Sequence, residues 1–314
     1  LGMPLWPASG YEGGAIDAGP WFGKGRGQGR ISGPVHVPRP FRLPIARAWV
    51  SSWEARGKGA PMRIVSLWHS GPMRNLEKVC VATWVQQGFE VEIYSFAPIA
   101  GLPRGAVACD AARILSPHWL EKINPILHPE RRDRQRIMNY SDLFRVALMQ
   151  KARGLWLDTD MCLFRHFDVP PDRPFFAWED GHRIGSPVFY VPKGDAMLAD
   201  YERVYDSPDL MPHWLGFRRR VLKPLLWRMR GRAFSPADLG LTIYGNDAFT
   251  RLARKHGLTR HALPRQSFYA WNAAQTMRFY DPQFGQALRD DPAVLGLHVH
   301  HKPHPNRRPL PGSL

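Results

Sequence analysis

The 314-residue chain predicts an α/β fold, a sheet flanked by helices, with length for one large domain or two small ones. Three stretches lead to that class. Ile64-Val65-Ser66-Leu67-Trp68 is a short apolar run closed by Ser70-Gly71-Pro72, the pattern of a buried strand. Leu76 to Gln87 then carries Leu76, Val79, Cys80, Thr83 and Trp84 at helical spacing, with Gly88 as a stop. Phe89 to Phe96 alternates as a second strand. Strand, helix and strand in this order form a parallel βαβ unit, and ligands of such sheets bind beyond the carboxyl ends of the strands. The end of the first strand, Trp68 to Gly71, is therefore a candidate ligand wall.

A second unit follows at Asn139 to Phe164. Ser141 is placed to cap a helix from Asp142 to about Arg153, in which Leu143, Val146, Ala147 and Gln150 fall on successive turns before Gly154. Leu155-Trp156-Leu157 reads as a short strand that delivers Asp158 and Asp160 to its exposed end. Further on, a strand is expected over Pro187 to Val191, a helix over Asn246 to His256 and a late strand over Val294 to His300.

Composition supports a folded protein. The chain is 44% hydrophobic with 12 Trp and 16 Phe, enough for a sizeable core. No apolar run approaches the roughly 18–20 residues that cross a bilayer, and Leu1 to Gly33 lacks the charged and apolar regions of a secretory signal. Three cysteines, Cys80, Cys109 and Cys162, are odd in number and lack metal-ligand spacing. They fit free buried thiols and a cytoplasmic location. Residues 1–60 differ, with 12 Gly and 7 Pro, and read as a disordered leader; the domain is expected over 61–304 and a disordered tail over 305–314. The net charge of +16 draws the protein to anionic partners, among which charge alone does not choose.

Asp158-Thr159-Asp160 is the centre of the chemistry. Two carboxylates two residues apart, leaving a buried strand, can both reach one hard cation, Mn²⁺ or Mg²⁺. Such a cation neutralises charge on a departing diphosphate. A solvated turn is the bland alternative for an Asp-x-Asp triplet alone.

Its context resembles a known family. Ser141-Asp142-Leu143-Phe144-Arg145, a helix, Gly154 and a strand running into Asp158-Thr159-Asp160 resemble the glycosyltransferase sugar-binding region that contains a DxD motif. Relatives of that kind include α-1,4-galactosyl- and N-acetylglucosaminyltransferases, fungal mannosyltransferases and bacterial glucosylating toxins. Trp156 stands where that family has tyrosine. Similar patches recur at Ile64–Trp68, Tyr244–Thr250, Phe268–Trp271 and Leu297–Lys302, whereas 1–60 and 305–314 match nothing.

The resemblance implies a GT-A-type fold, a Rossmann-like mixed sheet, and a retaining, metal-dependent hexosyltransferase. Its donor would be a nucleotide-sugar, favoured as a UDP-sugar, and its acceptor a glycan or glycolipid. It implies that Asp158 and Asp160 are catalytic and hold the metal together with His298, with Asp158 also touching the donor. On the donor side it implies Trp68 as a platform for the base and Asp142 and Arg145 as a grip on sugar and phosphate. Each role has a plainer counterpart: Trp68 as core, Asp142–Arg145 as a surface ion pair, His298 as a satisfied histidine, with His300 on the same strand face. Asn246 and Asp247 touch the donor or cap their helix, and the acids of Trp178–His182 hold an acceptor or form a polar loop. Retention by this fold needs no general base; the departing phosphate takes the acceptor's proton.

His213 to Arg232 mixes seven Arg and Lys residues with Trp, Phe and Leu. Such a segment suits an anionic membrane surface at the inner face, with Pro224 dividing it into two short helices; a solvated basic loop is the alternative. Two other classes compete. A haloacid-dehalogenase-like phosphatase also ends a strand in Asp-x-Asp, but Met161-Cys162 follow here and no Gly-Asp-x-x-x-Asp pair is found. A nucleic-acid-binding protein matches the charge, yet no zinc knuckle, RNA-recognition or helix-turn-helix signature accompanies it, and no nucleic-acid partner is expected.

Overall fold

The computed structural model describes residues 62–299 apart from 70, 128 and 273. The leader over 1–60, the tail over 305–314 and His300 lie outside the described residues. Within them run strands β1 (Ile64–Leu67), β2 (Val91–Ser95), β3 (Ala106–Asp110), β4 (Leu155–Leu157), β5 (Met161–Leu163), β6 (Phe175–Trp178), β7 (Ile184–Tyr190) and β8 (Gly296–His298). The helices are α1 (Asn75–Gln86), α2 (His118–Lys122), α3 (Arg132–Gln150), α4 (Ala196–Tyr205), α5 (Lys223–Met229), α6 (Asn246–Lys255), α7 (Gln266–Tyr269) and α8 (Pro282–Asp290).

Six strands form a mixed sheet in the order β3-β2-β1-β4-β7-β6. The first four are parallel; β7 runs against them, and β6, antiparallel to β7, runs in their direction again. β1 and β4 are apolar and buried along their whole length, as strands covered on both faces must be. From β1 the chain builds outward through β2 to β3, and then returns to β1's other side with β4. The sheet's order thus reverses between β1 and β4, and ligands of open α/β sheets bind at that reversal, outside the carboxyl ends. Gly154 makes the β1–β4 pairing possible. It has φ 143°, and a Cβ there would lie 2.2 Å from the Arg63 carbonyl oxygen, which accepts from Leu155 N–H at 2.9 Å.

Two expectations about helices are corrected. The helix expected from Asp142 begins ten residues earlier, so Ser141 lies inside it rather than at its cap. No apolar period announces that first half, and tertiary bonds hold it instead: Tyr140 Oη donates to Leu115 O at 2.7 Å, Arg136 Nε to Leu120 O at 2.8 Å, and Gln135 Nε2 to Ala237 O. Nor does Pro224 break the basic segment. A wide π-type turn over Arg218–Leu222 leads directly into α5, with Lys223 at φ −63°, ψ −48°. Proline lacks only the N–H that a first helical turn leaves unused.

A second, two-stranded sheet pairs β5 with β8 antiparallel, Met161 opposite His298. Cys162, on β5, and Cys80 are buried as free thiols. Burial and the adjacent Cys162 thiol push the Cys80 thiol up, which keeps it neutral and unreactive.

Candidate active site

β4 leads into Asp158, whose backbone N–H donates to Pro187 O on β7 at 2.9 Å, and Met161 N–H closes the turn onto Asp158 O at 2.9 Å. The chain therefore reverses within three residues and projects Asp158 and Asp160 from one tight turn. The β5–β8 pairing then carries His298 to the same place. Candidate ligand atoms of Asp158, Asp160 and His298 all lie within 4.8 Å of one another, and His298 Nε2 is 3.4 Å from Asp160 Oδ1. Burial pulls the His298 imidazole down, but the Asp160, Asp158 and Glu179 carboxylates outweigh it and hold it above its ordinary value. Two carboxylate oxygens and an imidazole nitrogen form a donor set that a divalent cation satisfies; oxygen-rich sites suit Mg²⁺ and Mn²⁺, and a nitrogen in the set favours Mn²⁺. The residues present fit the metal expected from sequence.

A second layer orients Asp158. Trp156 Nε1 donates to Asp158 Oδ1 at 2.6 Å, and Arg145 Nη2 approaches the same oxygen at 3.5 Å. An indole N–H is a donor only, so Trp156 orients this oxygen without offering a ligand atom of its own. Arg145 also lies over the Trp156 ring, 4.7 Å from its centroid, and donates to Ser186 O at 2.6 Å. Its ion pair with Asp142, 3.2 Å, is buried, with side-chain exposures of 4% and 9%. The surface-pair alternative is thereby removed. Burial pushes the Asp142 carboxyl up to about 7, against the opposing pull of Arg145.

Trp68 lies at the carboxyl end of β1, the strand beside β4. It is half-buried, its indole N–H donates to Gly71 O at 2.9 Å, and Arg74 stands 5.9 Å from its ring centroid. Asn246 and Asp247 open α6. Asn246 Nδ2 donates to Glu179 Oε2 at 2.6 Å. Asp247 is engaged by Arg251 at 2.8 Å through one oxygen and by Arg219 through the other. Gly245 abuts the site: a Cβ there would come within 2.4–2.6 Å of the Asp142 carboxylate.

Two residues without a settled role from sequence, Glu179 and Tyr269, lie beside the site. Glu179 is one of the acids of Trp178–His182 expected to hold an acceptor or to form a polar loop; it turns inward to Asn246, and its charge acts on His298. Asp180 beside it stays at the hairpin tip, accepting from the His182 and Arg183 backbone at 2.7 Å. Tyr269, buried, meets the His298 ring edge-on at 5.8 Å. No spacing rule separates an inward Glu from an outward Asp one residue on; the register of the hairpin does. The phosphatase alternative loses its last support here. Gly194-Asp195 and Asp200 approach its acid pair with one residue too many. Asp195 caps α4, and Asp200 is taken up by His213, Lys255 and His256.

No protein-family model and no curated protein sequence matches the chain. Among solved structures it is similar to the PaToxG Glycosyltransferase at 12% identity and a TM-score of 0.38, over 68% of this chain and 76% of that one.

Proposed function

We propose that the chain is a metal-dependent, retaining hexosyltransferase that moves a sugar from a nucleotide-sugar, favoured as a UDP-sugar, to a glycan or glycolipid. The observation that carries this reading is the convergence of Asp158, Asp160 and His298 at the sheet's reversal point, beside the buried Asp142–Arg145 pair. Asp158, Asp160 and His298 would hold Mn²⁺ or Mg²⁺, which supplies charge neutralisation for a leaving diphosphate. Arg145 is fixed by Ser186 O, Asp142 and the Trp156 ring, and a guanidinium held this way needs no reorganisation as negative charge develops beside it. Asp142, a carboxyl near neutrality, can accept or donate a hydrogen bond to a sugar hydroxyl. Trp68 offers an aromatic face at the neighbouring strand end. In the transfer, the anomeric carbon–phosphate oxygen bond breaks, the acceptor oxygen bonds to the same face, and the acceptor's proton passes to the leaving phosphate. The protein's part is positioning and charge stabilisation.

Purified protein, incubated with Mn²⁺ and a panel of UDP- and GDP-sugars, should hydrolyse at least one donor slowly without acceptor. Asp158→Asn and Asp160→Asn should abolish that hydrolysis while leaving the circular dichroism spectrum unchanged. If no donor of the panel is bound or hydrolysed, the transferase reading is wrong.

A further inference from the structure

The helical stretch from Phe217 to Met229 presents two faces with different chemistry. Arg219, Lys223, Pro224 and Trp227 fall at intervals of four, one and three and turn toward the protein. Phe217, Val221, Leu222, Leu225, Leu226 and Met229 fall at intervals of four, one, three, one and three, and all are exposed. Phe217 and Met229 are 73% and 74% accessible. An apolar helical face turned outward is the reverse of the arrangement that stabilises a solvated helix, and a contiguous patch of this kind marks a contact surface.

The charge around it says what the contact is. No Asp or Glu occurs between Asp209 and Asp238, while seven Arg and Lys lie within that interval. Asp238 itself faces inward, accepting from the Ile126, Leu127 and Ser235 backbone at 2.8–3.1 Å. Arg218, Arg220, Arg228, Arg230 and Arg232 are all exposed. We infer that this face seats the protein on an anionic lipid bilayer, with the apolar side chains in the headgroup–acyl boundary and the arginines among lipid phosphates. A polyanion such as nucleic acid would use the arginines but give no reason for six exposed apolar side chains between them. No helix among the described residues is long and apolar enough to cross a membrane.

Its position gives it a consequence. Arg219, on the inward face, binds Asp247 at the start of α6 and donates to Leu239 O at 3.1 Å. The preceding residues of the same turn are Gly245, against Asp142, and Asn246, bonded to Glu179. The lipid-facing helix is therefore clamped to the turn that borders the proposed donor site. Resting on the transferase reading above, this geometry assigns the acceptor to the lipid-linked class, delivered at the membrane plane.

The test uses the full chain and sedimentation with vesicles of phosphatidylcholine alone or with about a third phosphatidylglycerol. Wild-type protein should bind the anionic vesicles, release them as salt rises, and bind the neutral ones weakly. Phe217→Ser/Leu225→Ser/Met229→Ser and Arg218→Glu/Arg220→Glu/Arg230→Glu should each lose binding, the second by about a hundredfold if each arginine contributes about fivefold. Both variants change exposed side chains only, so Mn²⁺-dependent donor binding without vesicles should match wild type; that readout judges the transferase reading separately. Absence of vesicle binding, equal binding to neutral vesicles, or undiminished binding by both variants would overturn the inference. So would release of bound protein by duplex DNA, or a wild-type dimer that the apolar variant converts to monomer.

Discussion

Trp156 is the residue whose role is easiest to isolate. Its N–H holds Asp158 Oδ1 while the ring supports Arg145. Trp156→Phe keeps an aromatic ring in a fully buried place and removes the donor, and groups that orient a metal ligand are worth about 10–100-fold in metal affinity. Mn²⁺ affinity should fall by about that factor in calorimetry. Gly245→Ala should place a methyl against the Asp142 carboxylate. Overpacking of this kind costs about 1–3 kcal/mol, and here the displaced group is one that would hold the donor. A rise of roughly tenfold in donor KM with a small drop in Tm is expected; unchanged KM would remove Asp142 from the site. At this scale the sequence sets Asp142, Arg145, Asp158 and Asp160 in one register, and the structure brings the four side chains together. The sequence left the direction of Glu179 and Tyr269 open, because their inward turn depends on hairpin register and on α7 packing, which no local spacing records.

Among elements, α3 shows why local pattern underestimates length. Its first half is polar, and propensity gives it no apolar face. It is helical because Gln135, Arg136 and Tyr140 each find a carbonyl on another segment. The basic helical stretch shows the opposite case: its composition was legible, but the continuity through Pro224 and the outward apolar face required the three-dimensional path. Its N-terminal approach is tied down by Asp200 on α4, which accepts from His213, Lys255 and His256 at 2.6–2.9 Å. Burial alone would raise the Asp200 carboxyl, but those hydrogen bonds outweigh it and hold it down at about 2. A carboxyl lowered on folding stabilises fully above its unfolded value, near 4, and loses that contribution as pH falls through 2. Asp200→Asn should therefore be less stable by roughly 2 kcal/mol at neutral pH, with the gap closing between pH 4 and 2 in urea unfolding. A gap independent of pH would mean that the charge is not what joins α4 to α6.

For the whole molecule, the parallel βαβ start was legible from alternation and length, and it implied ligand binding beyond the carboxyl ends of the strands. Strands near β7 and β8 were expected as well, but their antiparallel pairings were not legible, and β5, three residues long, is a strand only because it pairs with β8. That pair closes the site by bringing His298 from more than a hundred residues away to Asp160. The central claim is that this three-residue convergence binds one divalent cation. Titrating Mn²⁺ into the protein and following free Mn²⁺ by electron paramagnetic resonance tests it without reference to substrate. One tight site per chain should appear in the wild type, weakened at least about a hundredfold by Asp160→Asn and also weakened by His298→Ala. Equal Mn²⁺ binding by wild type and Asp160→Asn would contradict the account.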